Sequence, residues 1–162
     1  MQGVGGLMLK IGKLTDYGIL VLDALAQAGS VQQSTESLAA ATGLTVSTLR
    51  KVMKTLADAG LVIARRGAHG GYRLARAPEQ VSILDVVVAF EGPVALTECS
   101  QLGSDCDIQS SCSLASGWMG VNDLLMQILA RVTLEDVRQQ TLAQHLPARV
   151  LDSNQRIRLV NL

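Results

Sequence analysis

Apolar residues recur along positions 14–27 at Leu14, Ile19, Val21, Leu22 and Leu25, too widely spread around a helix to form one stripe. Such a pattern predicts a helix buried on more than one side. The pattern breaks at Gly29-Ser30 and restarts after Ser34, an N-cap residue type with Glu36 in the turn that follows, so a short helix through Leu38 and Ala41 to Gly43 is expected. Thr45 then caps a further helix with Val46, Leu49, Val52, Met53 and Leu56 on its inner face, and Gly60 stands where a helix ends in left-handed backbone. Two short helices about a glycine-containing turn predict a helix-turn-helix.

Beyond Gly60, Leu61-Val62-Ile63 and Tyr72-Arg73-Leu74 are β-prone runs separated by Gly67-Ala68-His69-Gly70-Gly71, which predicts a hairpin with a glycine-rich tip. Ser82 with Asp85 is a capping pair for a helix through Val86, Val87 and Phe90 that Gly92-Pro93 ends. Residues 99–112 are rich in Ser, Gly, Asp and Gln and read as a loop. Leu114, Trp118, Val121, Leu125, Ile128 and Val132 then alternate spacings of four and three, a heptad-like seam that calls for a partner helix. Thr133 with Asp136 predicts a last short helix, and no clear period follows Pro147.

The expected fold is therefore mainly α: a winged helix-turn-helix with a short β-hairpin wing and a long C-terminal dimerisation helix. Its expected parts are a DNA-binding domain over 8–92, a cysteine-bearing loop over 93–113, the dimerisation helix and a short following helix over 114–137, and a tail over 138–162.

A length of 162 residues suits one domain with an appended element, and an aromatic share of 2% leaves the core to aliphatic side chains. The longest apolar stretches, 19–22 and 86–90, fall far short of the roughly 20 residues of a membrane span, so a soluble protein is expected with no membrane partner. Residues 1–7 lack the basic and apolar regions of a secretory signal, which predicts a cytoplasmic location. The net charge of zero hides an asymmetry: residues 45–76 hold seven basic side chains against Asp58 alone, whereas residues 79–137 hold nine acidic ones against Arg131. A polyanion would be met by the first half of the chain.

On the outer side of the third helix lie Thr45, Ser47, Thr48, Arg50, Lys51 and Lys54. Hydroxyls and guanidinium groups at a helix N-terminus suit base edges in a major groove, and Lys suits phosphate or guanine. The same residues also fit a capped, solvated amphipathic helix, and the hairpin shifts the balance toward DNA. Arg65, Arg66, His69 and Arg73 flank a tip with little side-chain bulk, able to approach phosphates or enter a minor groove. A helix-turn-helix followed by a basic, glycine-tipped hairpin points to a winged helix that binds a double-stranded DNA operator.

Leu14-Thr15-Asp16-Tyr17-Gly18, the helix pair running to Leu61, the wing from Arg66 to Leu74 and the clustered cysteines together resemble the bacterial Rrf-type (IscR/NsrR-like) transcription regulators over roughly residues 8–137. The Gly-Gly-Tyr wing and Leu96-Thr97-Glu98-Cys99 with the later cysteines look closest to the branch that regulates SUF-system iron–sulfur cluster assembly. The resemblance implies a homodimer paired through the long helix. It also implies a repressor that controls iron–sulfur cluster assembly genes through a two-iron or four-iron cluster.

Cys99, Cys106 and Cys112 share one polar loop, with enough chain between them to converge on a single centre. Clustered thiolates suit zinc or an iron–sulfur cluster, and the absence of a Cys-x-x-Cys knuckle weakens the structural-zinc reading. A thiol–disulfide switch, a response to nitric oxide or oxidants, and three unrelated thiols remain alternatives. The resemblance favours the cluster, with one departure. IscR-like members carry a histidine ligand three residues beyond the last cysteine, where this chain has Ala115. NsrR-like members lack that histidine and use an aspartate matched here by Asp16, which makes Asp16 of the other subunit the expected fourth ligand. Its plain alternative is a first-turn helix carboxylate; Glu98, Asp105 and Asp107 are competitors within the loop. His69 and His145 read as surface residues. No Walker loop, nucleophile elbow or His-Glu-x-x-His motif is present, and two histidines offer little acid–base capacity, so an enzyme is not expected.

Overall fold

A computed structural model describes residues 11–67, 70–97 and 112–145. Helix α1 (Lys13–Ala28) runs through the middle of the first domain, packed against elements on several sides, and Val21, Leu22 and Leu25 are fully buried. Its wide distribution of apolar residues has that cause. Helix α2 (Thr35–Thr42) starts where the Ser34 hydroxyl accepts from the Ser37 amide at 3.1 Å, and it stops at Gly43, whose φ of 71° is left-handed. Helix α3 (Val46–Asp58) buries Leu49, Val52, Met53 and Leu56 on one face. It ends in a Schellman motif, with the Leu61 amide donating to the Leu56 carbonyl, the Gly60 amide to the Ala57 carbonyl, and Gly60 at φ 68°.

Strands β1 (Val62–Arg65) and β2 (Gly71–Leu74) pair antiparallel, in a register that sets Val62 opposite Leu74 and Arg65 opposite Gly71. A 3-10 turn at Pro78–Gln80 leads to α4 (Ile83–Glu91), opened by the reciprocal Ser82/Asp85 capping box. Helix α5 (Ala115–Arg131) packs on α4. Thr133 and Asp136 form a second capping box at α6 (Leu134–Gln139), and Leu142–His145 is a further 3-10 turn. The fold is the mainly helical winged helix with a two-stranded wing that the sequence predicts. Among the described residues no helix is long and apolar enough to cross a membrane.

Two regions differ from expectation. The seam on α5 is divided: Leu125 and Ile128 are half-buried, with Leu125 facing Val87 of α4 across a cavity, while Leu114, Trp118 and Val121 are exposed together with Met119 and Leu124. Part of the heptad pattern is thus spent within the chain, because α5 must also cover α4. The second region is the stretch that leads into the expected tail. The Ile83 amide donates to the Val132 carbonyl and the Leu134 amide to the Val81 carbonyl, both at 2.8 Å, so the chain after α5 returns to the first domain. Leu134 is wholly buried there, a burial that contributes roughly 1.5–3 kcal/mol. Arg138 bridges Asp23 of α1 at 2.8 Å and also pairs with Glu135; the hydrogen bond to Asp23 is the main cause of a guanidinium pKa raised above its usual value.

His145 is likewise not a free surface residue. Its Nε2 lies 2.8 Å from Asp136, a nearly buried carboxylate that also accepts from the Thr133 amide, the Thr133 and Thr141 hydroxyls and Gln144. These bonds, led by the Thr133 amide, hold the Asp136 carboxyl well below the usual carboxylate range.

Candidate nucleic-acid interface and cysteine segment

The N-terminus of α3 is capped by Thr45, whose Oγ1 accepts from the Thr48 amide at 3.2 Å and donates to Thr48 Oγ1 at 2.9 Å. Ser47 Oγ lies 3.1 Å from the same hydroxyl. The three hydroxyls therefore form one cluster, with Thr45 and Ser47 exposed and Thr48 half-buried. Arg50 and Lys51 are exposed on the next turn. Lys54 is paired with Asp58 at 2.6 Å, but both side chains remain largely solvated, where such a pair is worth little and a phosphate can displace it. Glu36 sits close enough for the Arg50 charge to act on it. Its carboxyl is held below its ordinary value mainly by its own amide, then by Ser34, and to a lesser degree by Arg50.

On the wing, Arg65 and Arg66 are exposed, while Arg73 is half-buried with Nη1 donating to the Leu74 carbonyl at 3.2 Å. Arg73 is thus folded back along β2. His69 lies outside the described residues. The hairpin is anchored by a feature that the periodicity does not reveal: Gln33, between α1 and α2, exchanges backbone hydrogen bonds with Tyr72 at 2.9 and 2.8 Å. Gly71 makes this approach possible. It has φ 149°, and a Cβ there would lie 2.7 Å from the Gln33 carbonyl oxygen. The bridge ties the wing to the start of the helix pair, and β1 also packs against α3.

At the other end, α4 closes against α1 through Phe90 and Gly18, and residues 92–97 lead toward the cysteines. The Leu96 amide donates to Asn122 Oδ1 at 3.1 Å, and Asn122 is buried within α5. The sequence pattern does not single out Asn122 or Glu91. An amide amid the apolar positions of α5, and a carboxylate at the unfavourable C-terminal end of α4, are the signals that could have found them. Cys112 is a free, half-buried thiol just before α5, with its carbonyl accepting from the Ala115 amide at 3.3 Å. Cys99 and Cys106, like Glu98, Asp105 and Asp107, lie outside the described residues. Asp16 is exposed on the first turn of α1, and its carboxylate makes no hydrogen bond or ion pair with a described residue. Among the described residues no three Cys, His, Asp or Glu side chains come together as a metal site. A free thiol and an unpaired carboxylate are nevertheless donors of the kinds expected to hold iron.

A helix-turn-helix and a tethered wing that both carry exposed basic residues define a winged-helix DNA-binding regulator. Residues 11–140 match the Rrf2 family, described as iron-dependent transcriptional regulators, and the chain belongs to that family. The protein rrf2 of Nitratidesulfovibrio vulgaris is 32% identical over 130 residues, 80% of this chain and 87% of that protein. The HTH-type transcriptional regulator CymR of Bacillus subtilis is 28% identical over 134 residues, 82% of this chain and 92% of CymR. The solved structure of CymR, described as the global cysteine regulator of B. subtilis, superposes with a TM-score of 0.63 at 30% identity, covering 82% of this chain and 98% of that one. IscR of T. potens superposes with a TM-score of 0.62 at 28% identity, covering 88% and 96%. The protein is a transcription regulator and not an enzyme, in keeping with these relatives.

Proposed function

We propose that this regulator binds a pseudo-palindromic double-stranded DNA operator as a homodimer, and that an iron–sulfur cluster held by Cys99, Cys106 and Cys112 sets its affinity. In this reading the partner subunit's Asp16 supplies the fourth ligand, and the protein acts in the cytoplasm as a repressor of iron–sulfur cluster assembly genes. Residues 8–92 carry the DNA contacts, 93–113 the cluster and 114–137 the dimer contact.

The observation that carries the proposal is the placement of Cys112. A free, half-buried thiol shortly precedes a helix on which Trp118, Val121 and Leu124 stand exposed at spacings of three, with Leu114 exposed four residues before Trp118. An apolar helix face of this kind favours a mate. Asp16, unpaired on α1, is available to a second chain. The family's iron-dependent description and the likeness to T. potens IscR support the cluster; the likeness to a cysteine regulator keeps a thiol-based signal as the competing reading.

A bound cluster would supply a redox- and ligand-sensitive charge centre, with the thiolates as its soft donors. Asp16 would be a harder, weaker donor that leaves one corner open to attack. Thr45, Ser47, Thr48, Arg50 and Lys51 would read base edges from α3, while Lys54, Arg65, Arg66, His69 and Arg73 would meet the backbone.

Visible absorption with iron and acid-labile sulfide assays on anaerobically purified protein tests the proposal. A coloured, iron- and sulfide-containing wild type and a colourless Cys112→Ser variant are expected. A colourless wild type that carries zinc or nothing overturns it.

A further inference from the structure

Helix α1 begins at Gly12, an N-cap with no side chain to satisfy the first free amides. The cap comes from elsewhere in the fold. Glu91, the last residue of α4, accepts from the Gly12 amide at 2.8 Å and from the hydroxyl of Thr15, itself wholly buried. A carboxylate at the C-terminal end of a helix is disfavoured by that helix's dipole, and it is favoured at the N-terminus of another. Glu91 therefore serves α1, not α4.

This latch stands where the chain turns toward the cysteines. One residue later Gly92 ends α4, and residues 93–97 run as a strap whose Leu96 amide is held by the buried Asn122 of α5. The strap is tied at one end to α1 and near the other to α5, ten residues beyond Cys112. Beneath it lies a cavity of about 320 Å³, lined by Ile11, Val87, Leu96 and Leu125 among others. The cleft opens to solvent, so the strap borders it instead of being packed on all sides by core side chains. Asp16 follows one turn after Gly12, with its amide donating to the Gly12 carbonyl at 3.3 Å, and α1 packs on α3.

We propose that Glu91, through Gly12 and Thr15, is a positioning residue that couples the state of the cysteine segment to α1 and so to the DNA-reading helix. The proposal rests on the cysteine segment being the sensing element. The strap leads directly into that segment, and Glu91 is the side chain that ties the strap's start to the first turn of α1 by hydrogen bonds.

The test compares the affinity of full-length protein for a duplex selected from random sequences by the wild type, with iron and sulfide loaded and after removal by chelation. Wild type should show a loaded-to-stripped difference of at least about fivefold, the lower range of measured couplings. Glu91→Ala should lose that difference while its stripped affinity stays within about threefold of wild type; Glu91→Gln, which keeps an acceptor oxygen, should restore most of it. Glu91→Ala that retains the wild-type difference, or that weakens both states equally, overturns the proposal. If Glu91→Ala fails to fold, Thr15→Val removes one donor and should still shrink the difference; an unchanged ratio in that variant also overturns it. If wild type takes up no iron or sulfide, the cluster reading fails by itself. The same comparison is then made between free and iodoacetamide-alkylated cysteines, and equal wild-type affinities there overturn the coupling as well.

Discussion

Gly18 of α1 faces the ring of Phe90 so closely that a Cβ at position 18 would lie 2.7 Å from Phe90 Cζ. The contact seats the end of α4 on the first half of α1, next to the Glu91 latch. Gly18→Ala should destabilise the fold by about 1–3 kcal/mol, the usual cost of overpacking, despite alanine's better helix propensity. Phe90→Leu introduced alongside it should recover part of the loss. Denaturant midpoints check this, and an unchanged midpoint for Gly18→Ala would contradict the close packing.

Asp136 predicts an acid-sensitive fold. Its carboxyl titrates below the usual range in the folded state because Thr133 and its other partners bond the charged form. Its contribution is therefore fully present above the unfolded carboxylate value of about 3.9 and is lost as pH falls from there through the lower folded value. Asp136→Asn should be less stable than wild type near neutrality and lose less on acidification. Thermal melts across that range check it; parallel pH profiles would remove the role of this carboxylate.

Arg50 and Arg65 should separate in their effects on DNA. Arg50→Ala on α3 should narrow the gap between operator and scrambled duplex, whereas Arg65→Ala on the wing should weaken both and lower the salt slope by ~0.9 for each phosphate it no longer neutralises. Anisotropy titrations at several salt concentrations read both. Equal binding of operator and scrambled DNA by wild type would contradict sequence-specific reading.

Trp118, 44% exposed on α5 beside Val121, belongs to the face proposed to meet a second copy. Trp118→Asp should shift the protein toward monomer, because a charge would be desolvated against the mate. Sedimentation velocity checks this. An intact dimer in the variant would move the interface elsewhere.

Much of the winged-helix part is legible in the sequence because its helices carry local signals: Ser34, Thr45 and Ser82 cap theirs as their spacing predicts, and Thr133 does the same for α6. Contacts between distant residues are not. Gln33 meets Tyr72, Glu91 meets Gly12, and Asn122 meets Leu96 through single hydrogen bonds or backbone bridges that no period along the chain encodes. The divided seam on α5 has a similar cause, since a heptad pattern records which positions are apolar but not which neighbour covers them. His145 reads as a surface residue because nothing in the sequence marks Asp136 as an acceptor that gathers several donors.

Control of DNA binding by iron and sulfide at the cysteine segment is measured most directly by fluorescence anisotropy of one selected duplex. The titration is run under anaerobic conditions with loaded and with chelator-stripped wild type, and with Cys112→Ser. Wild-type affinities should differ between the two states by about tenfold, equivalent to about 1.4 kcal/mol, and Cys112→Ser protein should bind alike after both treatments. Equal affinities for loaded and stripped wild type, in protein that demonstrably carries iron and sulfide when loaded, would contradict that control.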